Sequence, residues 1–376
     1  MGLNLSPILR NSARVDCNFW YGKRVLITGH TGFKGSWLSL WLASMGAHLT
    51  GYAQAPETRP NLFELLKLQH DYERSIFADV RDLKKLQAAL KSAQPEIVIH
   101  MAAQPLVRRS YEDPVETYST NVMGTVNLLE SIRTLSSVRA VLIVTTDKCY
   151  DNQEWIWGYR ETEPLGGRDP YSSSKACAEL VAAAYRNIFL DASDAKHQIA
   201  VATARAGNVI GGGDWSADRL IPDALRASDS RKILLVRYPE ATRPWQHVLE
   251  PIAGYLTLAQ NLYQVGSKFS GAWNFGPDSN DVQTVAQVID ALNTHLEIPI
   301  SWQVDTASQP HEAYSLRLDC SKASQYLDWH PRWNLDTALG LIARWHECWR
   351  YGEQMRQVCL NQIQYYASNI HPKASS

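Results

Sequence analysis

The chain has almost no net charge: 37 Lys and Arg stand against 38 Asp and Glu in 376 residues, leaving -1 at pH 7. No whole-molecule field gathers nucleic acid or an anionic membrane, so an anionic ligand has to be held by local groups. The six cysteines include no C-x-x-C pair and no metal-ligand spacing, so no metal site is expected. No apolar run approaches the roughly 20 residues that span a bilayer. Nothing near the first residue combines a basic segment, an apolar core and a cleavage site, and the expected address is the cytoplasm, with reduced thiols. There is no internal repeat and no low-complexity linker. What is present is 45% hydrophobic residues, enough for one large α/β domain with an appended lobe or for two interleaved lobes.

The organising stretch is Lys23 to Leu42, KRVLITGHTGFKGSWLSLWL. Val25-Leu26-Ile27-Thr28 reads as a buried parallel strand, followed by a glycine turn and a Leu/Trp-rich helix. In such a turn one glycine permits the reversal, one lets backbone amides approach a pyrophosphate, and one lets helix pack on strand, with the positive helix end facing the anion. His30 and Lys34 place an imidazole and an ammonium beside those amides, either as phosphate contacts or as solvated groups. Further strands are expected at 47–52, 75–82, 96–104 and 139–144, alternating with helices, which predicts a parallel doubly wound sheet. The second strand ends in Tyr52, Ala53 and Gln54, where an NAD-binding fold often carries an acidic residue for the ribose, so rejection of NADP is not assured. Asp79 at a strand end suits either an adenine amine or a helix cap.

Two clusters carry chemistry. Thr145-Thr146-Asp147-Lys148 follows the fifth strand, at the edge where open α/β sheets collect ligands. Tyr171 and Lys175 stand at i and i+4 on a helix, on one face, where an ammonium and a nearby cationic nicotinamide would pull the phenol down from about 10 toward neutrality. A phenolate so poised accepts the proton of a sugar hydroxyl. Downstream, Asn208, the glycines 211–213, Arg219 and Arg243, on an apparent loop, suit a diphosphate.

Together GHTGFKGSW, HMAAQP, TNVMGT, TTDKCYDN, YSSSK, RAGNVIGGGDW, RLIPD and RPWQHVLEP cover nearly the whole chain. In these motifs it resembles the extended short-chain dehydrogenase/reductases and, within them, the nucleotide-sugar 4,6-dehydratases. Thr146-Asp147-Lys148, where relatives commonly have Thr-Asp-Glu, looks like the CDP-glucose branch. The resemblance implies an NAD-binding Rossmann domain over 1–204, with a return segment near 244–262, and a smaller mixed α/β substrate lobe over 205–376. It implies NAD held by Gly29, His30, Thr31, Gly32, Phe33, Lys34, Gly35, Asp79, Val80, Ala102, Ala103, Gln104, Asn121, Tyr171 and Lys175. Substrate contacts are implied for Gln104, Asn208, Arg219, Arg243 and His311.

The implied reaction is C4 oxidation of CDP-glucose, loss of water across C5 and C6, and hydride return to C6, giving a CDP-4-keto-6-deoxyglucose for deoxysugar synthesis of the O-antigen type. Tyr171 with Thr146 would serve the oxidation and Asp147 would protonate the leaving 6-hydroxyl. Lys148 would be the C5 base, or remain charged and stabilise the enolate. Helices 111–135 and 171–190 are expected to pair with a twin subunit, as a homodimer or homotetramer. A sugar-nucleotide 4-epimerase would share Tyr171 and Lys175 but needs no acid-base pair for dehydration. A noncatalytic NAD-binding scaffold gives Asp147 no reason to stand beside them.

Overall fold

A computed structural model describes residues 15–190, 198–307 and 313–368. In chain order the strands are β1 (Arg24–Thr28), β2 (His48–Ala53), β3 (Tyr72–Phe77), β4 (Ile97–His100), β5 (Ala140–Val144), β6 (Ala200–Arg205), β7 (Val209–Ile210), β8 (Leu234–Val236), β9 (Thr242–Pro244), β10 (Gln246–His247), β11 (Gly271–Asn274), β12 (Val282–Thr284) and β13 (Trp302–Val304). The α-helices are α1 (Cys17–Trp20), α2 (Phe33–Ser44), α3 (Leu62–Leu65), α4 (Leu83–Ala93), α5 (Val107–Glu112), α6 (Pro114–Tyr118), α7 (Gly124–Ile132), α8 (Pro170–Leu190), α9 (Leu220–Ser230), α10 (Leu249–Val265), α11 (Val285–Asn293), α12 (Ser321–Leu327), α13 (Leu335–Arg350) and α14 (Met355–Ser368).

Seven strands form one sheet in the order β11-β6-β5-β4-β1-β2-β3, every neighbouring pair parallel. This is the expected doubly wound Rossmann architecture. Every residue of β4, β5 and β6 is buried, because helices cover both faces and leave no polar side for alternation to mark. One face carries α4, α7 and α8 through Leu86, Leu128, Ile132 and Phe189. The other carries α2 and α10 through Trp37, Leu40, Leu256 and Leu262. The smaller lobe is built from α9, α11 and α13 around Ile221, Val288 and Leu339, with two-stranded pairings of β8 with β13 and β9 with β12.

The division of the chain differs from the expected one. The sequence reading returns only 244–262 to the large domain, yet β11 is its seventh strand and α14 packs on α2. Trp329, Trp333, Cys359, Ile363 and Tyr366 belong to the same core as β1 and α2. These segments carry no β-α-β alternation, so nothing in their pattern marks which lobe they serve.

Candidate functional site

The turn after β1 has the conformation that its glycines allow. Gly29 sits at φ +73°, and a Cβ there would lie 2.6 Å from the Ala102 nitrogen; a Cβ on Gly35 would lie 2.2 Å from the Gly29 carbonyl oxygen. Side chains at these positions would fill the space between β1, α2 and the end of β4. Gly32 begins α2 with no side-chain cap, which leaves the first amides of the helix to a ligand. The result is a cleft of about 250 Å³ lined by Gly29, Thr31, Gly32, Phe33, Lys34, Gly35, Asp79, Val80, Ala102, Ala103, Tyr171 and Lys175. A backbone cradle with uncapped amides fits the pyrophosphate of a dinucleotide.

Three residues expected in that cleft stand behind its wall. His30 is neither a phosphate contact nor solvated: it is fully buried, bonded through Nε2 to Ser75 Oγ at 2.8 Å and packed edge-on to Phe63 and Tyr72. Burial pushes its imidazole down to about 4, so it is neutral at physiological pH. Asn121 accepts from the Gln104 amide at 2.8 Å and donates to the Gln104 carbonyl and to Ser174 Oγ. Gln104 in turn spends its side chain on Thr117 and Leu106. Both amides are consumed in holding the loop after β4 against α6 and α8. Beyond β3, Asp79 is bound by Arg81 and by Gln54 Nε2 at 2.7 Å. Asp79 does not cap the next helix; Asp82 does, accepting from the Lys85 amide.

A second cavity of about 470 Å³ opens beside the first, lined by Thr146, Asp147, Lys148, Asn208, Arg219 and Arg243 among others. Tyr171, Lys34 and Arg219 line both cavities. Tyr171 and Lys175 are 8% and 7% exposed, one turn apart on α8. Their electrostatics differ from the expectation. Burial pushes the phenol up to about 12, with the Thr146 hydroxyl partly opposing and Asp147 adding to the rise. Burial lowers the Lys175 ammonium to about 8, and its Nζ donates to the Val144 carbonyl at 3.3 Å. The protein's own groups therefore keep Tyr171 protonated.

Asp147 is 1% exposed. Its Oδ1 accepts from Thr146 Oγ1 at 3.0 Å, and its Oδ2 has no hydrogen-bond partner among the described residues. Burial pushes its carboxyl up, with Lys148 and Thr146 partly opposing, the direction an acid catalyst needs. A Cβ on Gly207 would fall 1.9 Å from Oδ2: the carboxylate lies directly on that glycine.

Arg219 pairs with Asp214 at 2.8 Å. Arg243 lies on strand β9 rather than on a loop, donating through Nη1 to the Thr242 and Tyr314 carbonyls. Asn208, at φ +35°, lines the same cavity. Two glycines of the 211–213 run serve packing: a Cβ on Gly212 would strike Trp345 and one on Gly213 would strike Leu62. Lys34, half-buried between the cavities, is pushed down to about 7 by burial and by Arg219 and Lys175. His311 falls outside the described residues. Sequence reasoning missed the far wall of the cavity, Leu234 to Tyr238 with Asp305, because two short strands bring it together from distant segments with no motif.

Known proteins share much of this sequence or this fold. The chain is 55% identical to the CDP-glucose 4,6-dehydratase of Salmonella typhimurium over 94% of its own length and 99% of the relative's. Its fold superposes on the UDP-glucose-4-epimerase of Stenotrophomonas maltophila with a TM-score of 0.75 at 19% identity, covering 88% of this chain and 99% of that one. It likewise matches the dTDP-glucose 4,6-dehydratase of Bacillus anthracis with a TM-score of 0.70 at 21% identity, covering 89% and 100%. The family description GDP-mannose 4,6 dehydratase matches residues 26–341, which hold the glycine cradle, Asp147, Tyr171, Lys175 and both cavities, and the chain belongs to that family.

Proposed function

We propose that the protein is a hydro-lyase that converts CDP-glucose to CDP-4-keto-6-deoxyglucose with NAD as its bound cofactor. The observation that carries this reading is the position of Tyr171 where the dinucleotide cleft meets a cavity that also presents Thr146 and Asp147. The likeness to the Salmonella enzyme supports the choice of nucleotide.

The cradle at Gly29–Gly35, with Asp79, Val80, Ala102 and Ala103, would hold the dinucleotide. When bound, its nicotinamide supplies a hydride acceptor and a positive charge that lowers the neighbouring phenol. Tyr171, beside Thr146 at the cavity, takes the proton of the 4-hydroxyl. Lys175 holds positive charge behind it. Asp147, whose carboxyl burial pushes up, is the acid that gives a proton to the departing 6-hydroxyl. Lys148 takes the C5 proton if its side chain is the neutral amine; if it is the ammonium, it balances the enolate oxygen while water takes the C5 proton. Arg219, Arg243 and Asn208 bind the diphosphate. The epimerase alternative leaves Asp147, a buried acid beside the sugar cavity, without work.

Exposed apolar side chains on neighbouring helices, Tyr111, Val115, Tyr118, Met123, Leu180 and Ile188, support pairing with a second copy of the chain through α5 to α8.

A panel of CDP-, dTDP-, GDP- and UDP-glucose tests the reading. CDP-glucose is expected to give a 4-keto product, seen by its shifted ultraviolet absorption, without net consumption of NAD. Inversion at C4, or no product from any of the four, would sink it.

A further inference from the structure

We propose that the buried ion pair of Arg205 with Glu179 holds the groups of the elimination in register with those of the oxidation, so that both are positioning residues for dehydration. The inference rests on the function just proposed. Glu179 lies on α8 one turn beyond Lys175 and two beyond Tyr171, and each member of the pair is 3% exposed. Oε1 accepts from Thr145 Oγ1 at 2.5 Å and Arg205 Nε at 2.9 Å, and Oε2 from Thr203 Oγ1 at 2.7 Å and Arg205 Nη2 at 2.8 Å. Arg205 Nη1 continues to the Tyr150 hydroxyl at 2.8 Å, which donates to Asn274 Oδ1 at 2.7 Å.

The pair thus ties down both ends of one short turn. Thr145 directly precedes Thr146-Asp147-Lys148, and Tyr150 closes the segment. Arg205 also lies two residues before Gly207, the glycine on which the Asp147 carboxylate rests. Packing alone does not require this arrangement, since an apolar filling of equal volume often stabilises a core as well as a buried ion pair does. What an ion pair with every acceptor used supplies is fixed direction.

The helix carrying Tyr171 has other ties, through Lys175 to Val144 and through Ser174 to Asn121. Loosening the pair should therefore displace Asp147 and Lys148 more than Tyr171 and Lys175, with the oxidation affected only through Thr146. A general loss of stability would not separate the two halves of the reaction in this way.

Single-turnover measurements on holoenzyme with CDP-glucose read the halves apart, as the rise of reduced cofactor and its decay into 4-keto product. In Glu179→Gln and Arg205→Met the decay is expected to slow about 100-fold, as misplacement by an ångström can produce, while the rise slows far less and KM changes little. Arg205→Lys is expected to recover part of the loss. Tyr150→Phe, which removes the hydroxyl that links Arg205 to Asn274 and leaves the ion pair itself intact, keeps the test open if the ion-pair variants do not fold. There the decay alone is expected to slow about 10-fold, on the order of the effect of losing a hydrogen bond from a charged donor. Equal slowing of rise and decay, or no change in Tyr150→Phe, overturns the inference while wild-type dehydration stands. A wild type that inverts C4 or makes no product overturns the functional reading and this inference with it.

Discussion

Asp147 has room for its carboxylate only because residue 207 has no side chain. In sequence Gly207 stands just before Asn208 and the 211–213 glycine run; in space it is the floor under the acid, with a Cβ position 1.9 Å from Oδ2. Gly207→Ala should turn the carboxylate away and slow elimination about 100-fold with 4-oxidation retained, read as reduced cofactor that accumulates on substrate. Full turnover by a folded Gly207→Ala protein would show that this contact is dispensable. Lys148→Met is a test of the neighbouring group: elimination should fail while oxidation persists, and unchanged turnover would remove Lys148 from the mechanism. That Tyr171, Lys175 and Asp147 stand at the two cavities was legible, because strand-end and i, i+4 spacing place them there. His30 was not, since the aromatic walls that neutralise it, Phe63 and Tyr72, come from segments that no local pattern connects to the turn.

At the scale of elements, β1, the glycine turn and α2 were readable because one short segment contains strand, punctuation and helix together. The π turn Ser119–Met123 was not, because apolar spacing alone does not distinguish it from an α-helix. Helix α10 contributes a further unread device, Glu250, whose carboxylate accepts from the Arg332 and Trp333 amides and from the Tyr366 hydroxyl at 2.7 Å. Burial pushes this carboxyl from its ordinary 4.5 up to about 7, with Tyr366 partly opposing. A folded state that holds the proton more tightly than the unfolded one gains stability that is complete below about pH 4.5 and lost as pH rises through about 7. The shift corresponds to a contribution on the order of 3 kcal/mol. Melting curves from pH 5 to 8 should show wild type losing stability relative to Glu250→Gln, and parallel curves would exclude Glu250 as the source.

At the scale of the whole molecule, the sheet was legible and the allocation of the C-terminal half was not. Alternating strands and helices announce a parallel sheet wherever they occur, but α14 reaches α2 across more than 300 residues of chain, and no local period records such a contact. The Arg356 to Asp71 ion pair, at 2.7 Å, closes the same seam. A face that remains uncovered makes the opposite demand. Val115 and Leu180 are 76% and 60% exposed on elements that pack together as α6 and α8, and neighbouring apolar groups of this kind mark association surfaces. If a second copy covers them, a charge at the centre must be desolvated without a partner, which an interface does not tolerate. Leu180→Glu should therefore convert a dimer to single chains in light scattering, with little loss of secondary structure because the side chain is outside the monomer's core. If the mass is the same before and after the substitution, the pairing surface lies elsewhere.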